Sequence, residues 1–160
     1  MNVCIKVNTI INDLIDNNKY SLKETGKMNE ILAFIEQNKY GSLATCNGGK
    51  VDVRPFELVF HCNRGMFFYT SEGDDLYAQL NVNPFISFCA TDKNYNYYKI
   101  SGSVIFSNEE NDKNEIIEKS QFAQKKFSNS NANDMKVFFL PHATCGLHYQ
   151  ADNKVVEWQF

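Results

Sequence analysis

No Cys-x-x-Cys pair occurs in the chain, and its five cysteines (Cys4, Cys46, Cys62, Cys89 and Cys145) are odd in number. A disulfide framework is therefore not expected, and a reducing, cytoplasmic setting is. No apolar run approaches the roughly 18–20 residues of a spanning helix, so no membrane partner is expected. The first residues lack the charged start and long apolar stretch of a secretory signal. Basic residues form no stripe: 16 Lys and Arg stand against 19 Asp and Glu, and only Lys125 and Lys126 adjoin. A polyanion such as nucleic acid therefore has no evident docking surface. Internal repeats and low-complexity tracts are absent too.

What is present suits one domain with a real core. The 160 residues are 43% hydrophobic and 14% aromatic, mostly Phe and Tyr, which favour pleated, half-buried surfaces. Apolar spacing predicts a short helix within residues 3–15 and a second from Met28, with Ile31, Leu32, Phe34 and Ile35 on one face. Residues 16–27 are polar and read as a loop. The chain divides accordingly into an N-terminal extension over 1–27, with Met28 as an alternative initiator, and a domain over 28–160.

From Tyr40 onward the period changes to that of strands. Segments 40–46, 51–60, 66–70, 85–91, 97–106, 137–140, 144–150 and 154–160 alternate or run apolar between turn signals such as Asn47-Gly48-Gly49 and Asn63-Arg64-Gly65. Helices are expected over 74–82 and 109–127. One strand carries a fault: Val51 and Val53 share a parity, while Phe56, Leu58 and Phe60 take the other. A bulge or edge at Arg54-Pro55 explains that loss of phase, since proline removes a ladder donor. Gly102 is the expected bend of the 97–106 strand. The set predicts a mainly β fold: an antiparallel, Greek-key split barrel of about six strands with flanking short helices.

Several segments in order resemble the pyridoxamine-phosphate-oxidase-like, FMN-binding split-barrel family, in its general-stress and nitroimidazole-reductase-like branch. They are YGSLAT, a Gly turn and VDVRPF; GMFFYTS and a helix ending QLNVNP; FISFCA; YYKISGSVIF; and VFFL through VVEWQF. The resemblance implies a homodimer with two FMN sites across its interface. It places Arg54, Pro55 and Phe56 beside the flavin and Tyr69, Thr70 and Ser71 at its ribityl-phosphate side. Gln79 follows on the short helix, and Lys99 approaches from the partner chain. The chemistry agrees: Arg54 offers a planar fork to phosphate or carbonyl oxygens, and the hydroxyls of Thr70 and Ser71 offer donors. No side chain reads as an obligatory acid or base.

Two departures qualify that picture. Asp74 and Asp75 stand where many members place Lys or Arg for the phosphate; they read as helix caps and would repel a dianion. The Arg-Leu-His-x-Arg terminus of true pyridoxamine-phosphate oxidases is replaced by Val155-Val156-Glu157-Trp158-Gln159-Phe160. The expected function is an FMN-dependent oxidoreductase acting on a small molecule, but not a true pyridoxamine-phosphate oxidase. The alternative is a non-catalytic protein that stores or senses a flavin or another planar ligand. His142, Cys145 and His148 do not read as a metal site, because strand alternation turns Cys145 away from both histidines. Adjacent His61 and Cys62 diverge for the same reason.

Overall fold

The computed structural model describes residues 22–127 and 132–160. The helix expected within residues 3–15 lies outside them. Helix α1 covers residues 22–37 and buries Ile31 and Ile35 on the expected face. It starts earlier than expected: residues 22–27, read as loop, are helical. Leu22, Lys23, Glu24 and Lys27 are good helix formers, and an ion pair joins Glu24 to Lys27 one turn on.

After α1 come β1 (Tyr40–Asn47), β2 (Lys50–Glu57), β3 (Phe60–Cys62), β4 (Gly65–Ser71), α2 (Asp75–Val82), β5 (Phe85–Thr91) and β6 (Tyr97–Ser103). Then follow β7 (Ile105–Ser107), α3 (Glu110–Lys119), α4 (Gln121–Phe127), a 3-10 turn (Ala132–Asp134), β8 (Met135–Leu140), β9 (Thr144–His148) and β10 (Val155–Gln159). All the strand pairs are antiparallel, in a six-stranded sheet of order β10-β9-β6-β5-β1-β2 and a four-stranded sheet of order β3-β4-β8-β7. The mainly β, antiparallel split barrel with short helices is thus present, divided between two sheets.

The ten strands among the described residues exceed the expected six: all eight apolar segments form strands, and the two longest, 51–60 and 97–106, each break in two at a corner. No bulge occurs at Arg54-Pro55: β1 and β2 pair without interruption from Tyr40–Glu57 to Asn47–Lys50. Pro55 is tolerated because β2 is an edge strand, with β1 as its one neighbour among the described residues. No phase is lost within β2: Val51 and Val53 are exposed on its outer face, while Phe56 packs against the core on the other. The chain leaves one sheet for the other at Leu58-Val59. There the Leu58 N–H donates to the Lys39 carbonyl and the Val59 N–H to that of Phe67. The 97–106 segment breaks in the same way at Val104, whose N–H donates to the Pro84 carbonyl. Gly102 does not make that bend. A Cβ on it would lie 2.6 Å from the His142 carbonyl oxygen, so its bare backbone allows the loop after β8 to approach.

Residues 109–127 form two helices. Ser120, fully buried, ends α3 and caps α4, its Oγ accepting the Ala123 N–H at 3.1 Å. Helices α3 and α4 cover one face of the four-stranded sheet, where Phe60, Phe67 and Phe139 stack at 4.4 and 4.9 Å and meet Ile116, Ala123 and Phe127. The opposite face carries Phe68, stacked on Phe138 at 5.4 Å, and joins the main core with Phe88, Tyr98 and Ile100 of the six-stranded sheet. Burial on both faces is why β4 and β8 read as continuous apolar runs. Among the described residues no helix is long and apolar enough to cross a membrane.

The turn into β4 depends on Gly65. Its φ of 137° is strained for any L side chain, and an added Cβ would meet the Leu140 carbonyl oxygen at 1.9 Å. Gly65→Ala should cost about 2–3 kcal/mol or prevent folding. Urea unfolding of the variant beside wild type measures that loss; equal midpoints would refute it.

Candidate functional site

Where β2, β4 and α4 come together they enclose a cavity of about 380 Å³, lined by Tyr40, Gly41, Pro55, Phe56, Glu57, Tyr69, Thr70, Asp74, Phe122 and Lys126. That volume lies within the ~300–1,000 Å³ of small-molecule sites. The strand ladder explains part of the lining. Glu57, Phe56 and Pro55 end β2 just before it crosses between sheets, and Tyr69 and Thr70 end β4 beside it. Helix α4 supplies the remaining wall. Phe122 meets Tyr40 edge to face at 5.8 Å, and Phe127 meets Tyr69 at 5.8 Å.

One buried polar contact holds α4 in this place. The Ser120 hydroxyl donates to Glu57 Oε2 at 2.5 Å while its oxygen caps α4. Partial burial and then the Glu57 carboxylate push the Tyr40 phenol up. Burial is also the main reason that the Tyr69 phenol is raised, with a hydrogen bond to Ser120 opposing it and Glu57 adding to it. Both phenols therefore stay protonated at neutral pH and can donate hydrogen bonds.

Of the eight residues expected at a flavin, the structure brings Pro55, Phe56, Tyr69 and Thr70 to the cavity. Arg54 and Gln79 are brought to each other instead. Arg54 Nη2 donates to Gln79 Oε1 at 2.9 Å, and Arg54 Nη1 to Thr45 Oγ1 at 3.3 Å. The Thr45 hydroxyl donates to Gln79 Oε1 at 2.6 Å. Asp52 completes the group: Gln79 Nε2 donates to it at 3.1 Å, and Arg54 forms an ion pair with it. The hydrogen bonds from Gln79 and then Arg54 hold the Asp52 carboxyl below its usual range. Ser71 is buried, and its Oγ has no hydrogen-bond partner among the described residues. Lys99 lies on the outer face of the six-stranded sheet, paired with Cys89 and Gly146, and β5 and β1 separate it from β2.

Asp74 does not cap α2 with its side chain, although it stands at the N-cap position. Its Oδ2 turns back and accepts from Thr70 Oγ1 at 3.2 Å, the Ser71 N–H at 3.1 Å and Lys126 Nζ at 3.1 Å. Burial raises the Asp74 carboxyl, but the Lys126 hydrogen bond and the other donors outweigh it, leaving the net shift downward. A carboxylate held low contributes stability at neutral pH and loses it as pH falls through its own range. Asp75 alone keeps the expected first-turn place.

Sequence reasoning missed Tyr40, Glu57, Phe122 and Lys126. A signal existed for Glu57, which directly follows Arg54-Pro55-Phe56; none existed for Phe122 and Lys126, which reach the cavity only through tertiary packing. In the late strand, Cys145 is buried and its thiol is pushed up to about 12 by burial. His148 faces outward, stacked on Tyr97 at 4.5 Å. Alternation therefore separates them, and among the described residues no three His, Cys, Asp or Glu gather as a metal would require.

Two antiparallel sheets packed around a shared aromatic core, with a cavity at their edge, define the chain as a split barrel. More particularly, it belongs to the family described as pyridoxamine 5'-phosphate oxidase, whose model matches residues 28–142. Among solved structures it is similar to a NimC/NimA family protein from Clostridium acetobutylicum, with 19% identity, a TM-score of 0.67, and coverage of 84% of this chain and 94% of that one. A Clostridium acetobutylicum protein related to general stress protein 26 of B. subtilis shares 11% identity and a TM-score of 0.65 over 86% of this chain and 96% of its own. PhzG from Burkholderia lata 383, solved with tetrahydrophenazine-1-carboxylic acid, shares 13% identity and a TM-score of 0.58 over 83% and 89%. No curated protein matches the chain.

Ser120→Ala removes a helix cap and one of the donors to buried Glu57. The variant should lose about 2 kcal/mol or more. Urea unfolding gives the number; a loss under about 0.5 kcal/mol would show that α4 is held by other means.

Proposed function

We propose that this chain is a flavin-dependent oxidoreductase that holds FMN, or a closely related flavin, in the cavity beside Phe56, Tyr69 and Thr70. The carrying observation is that four of the eight residues expected at a flavin, drawn from two separate strands, line one cavity of suitable volume. The wall fits a planar ring: Pro55 and Phe56 offer an apolar face, and the Tyr40 and Tyr69 phenols offer donors to ring oxygens or nitrogens. Arg54 and Gln79 would bound the site from the neighbouring network, and Ser71 from the end of β4. When bound, the flavin supplies the redox chemistry at its ring, and the chain supplies position, hydrogen bonds and exclusion of water.

The same reading makes the protein a cytoplasmic homodimer. Val51, Val53 and Phe85 are 64%, 59% and 51% exposed on the outer face of the six-stranded sheet. An apolar row of this kind suits burial against a second copy, and Lys99 shares its face. In the dimer Lys99 would reach the partner's flavin. The fit of the tail is poorer than that of the ring, because Asp74 stands among the donors that a phosphate would need. This favours a second reading, a protein that stores or senses a flavin or another planar ligand without turning it over.

The purified protein should be yellow, with flavin absorbance, and addition of a reduced nicotinamide should bleach it. Colour without bleaching by any reduced nicotinamide would select the second reading. A colourless protein that ignores added FMN and riboflavin would overturn both. Light scattering should place the eluting species at twice the 18.4 kDa chain mass; a monomer would remove Lys99 from the site.

A further inference from the structure

We propose that the Asp74 carboxylate is a resident anion, filling the anion-binding part of the cavity so that the site reads a ligand's ring and gains little from a phosphate tail. This rests on the flavin reading for the identity of the ring, though not for the anion position itself.

Three donors of different origin converge on one oxygen. They are a side-chain hydroxyl from the end of β4 (Thr70), a backbone N–H from the next residue (Ser71) and an ammonium from α4 (Lys126), at 3.2, 3.1 and 3.1 Å from Asp74 Oδ2. Hydroxyl, amide and ammonium together form the donor set that proteins offer to phosphate and sulfate oxygens. Here they meet a carboxylate of the chain itself. Thr70, Asp74 and Lys126 all line the cavity, so the cluster is part of its wall.

Capping does not explain the arrangement, because the Asp74 side chain makes no hydrogen bond to α2. Nor does a buried ion pair, since the Lys126 and Asp74 side chains are 50% and 46% exposed. An exposed pair contributes little stability and opens readily. A ligand phosphate can thus reach the donors, but only by displacing one negative charge and remaining near it. A ligand that ends in a hydroxyl meets no such opposition.

The test uses the full chain, with Asp74→Asn and Asp74→Ala as separate variants and Asp74→Asn/Lys126→Ala as the control. The first probe is inorganic phosphate, read as thermal stabilisation against chloride at equal ionic strength. Saturating phosphate should raise the melting temperature of both single variants by about 2–4 °C relative to wild type, and the added loss of Lys126 should abolish the rise. The second probe is a pair of ligands that differ only in the phosphate, FMN and riboflavin, titrated by flavin fluorescence. Wild type should bind them within about threefold of each other, whereas Asp74→Asn should favour FMN by roughly tenfold, the worth of one charge-assisted hydrogen bond.

Failure of both single variants to respond to phosphate overturns the proposal. So does a wild-type preference for FMN of about tenfold or more, although the flavin reading then stands. If phosphate stabilises the variants while neither flavin binds any protein, the flavin reading fails and the resident anion remains.

Discussion

The hydrogen bond between Ser120 and Glu57 joins the two halves of the cavity. Glu57 is the last residue of β2, where the chain is about to cross from one sheet to the other. Ser120 lies between α3 and α4, 63 residues further along. Because the same hydroxyl oxygen also receives the Ala123 N–H, the start of α4 is set by a residue on the barrel and not by the helix alone. Buried polar groups are costly when unpaired, so both partners keep this geometry. Phe122 in the first turn of α4 and Lys126 in the second then stand beside the aromatic wall formed by Tyr40, Phe56 and Tyr69.

Around that link the molecule separates rigidity from chemistry. The four-stranded sheet is apolar on both faces, with stacked phenylalanines toward α3 and α4 and a second aromatic set toward the six-stranded sheet. Such a layer resists deformation because each ring is packed on all sides. The cavity lies at its end, where strands stop and polar groups can gather. The Arg54, Gln79, Thr45 and Asp52 network stands next to it as a satisfied unit. A guanidinium already paired with Asp52 is a weaker partner for an outside anion than a free one, and this agrees with a site that recognises the ring of its ligand more than its tail.

Much of the candidate site could be read from residue types alone. Pro55 and Phe56 on one strand and Tyr69 and Thr70 at the end of another were recognisable by order and spacing, and they do share a cavity. Lys99 could be identified as a residue but not placed, because its position on the outer sheet face bears on a flavin only through a second copy. The change of apolar parity in the 51–60 segment was visible, and it arises because Val51 and Val53 lie exposed on the outer face of β2 while Phe56 faces the core. Residue types alone do not tell a bulge at Pro55 from a regular strand whose outer face carries valines. The ladder decides: β1 pairs regularly as far as Glu57.

By itself the sequence determined most of the strands, the glycine turns, the apolar face of α1 and the lack of a basic stripe or of an apolar run long enough for a spanning helix, because these depend on local period and composition. Tertiary structure alone decided where the sheets divide, that 109–127 is two helices and that Lys126 reaches Asp74. It also turned Asp74 from the cap its position suggests into an acceptor for Thr70, Ser71 and Lys126. The physical reason is common to all of these: each depends on a donor, an acceptor or a packing surface supplied by a segment far along the chain, and no local pattern records that neighbour.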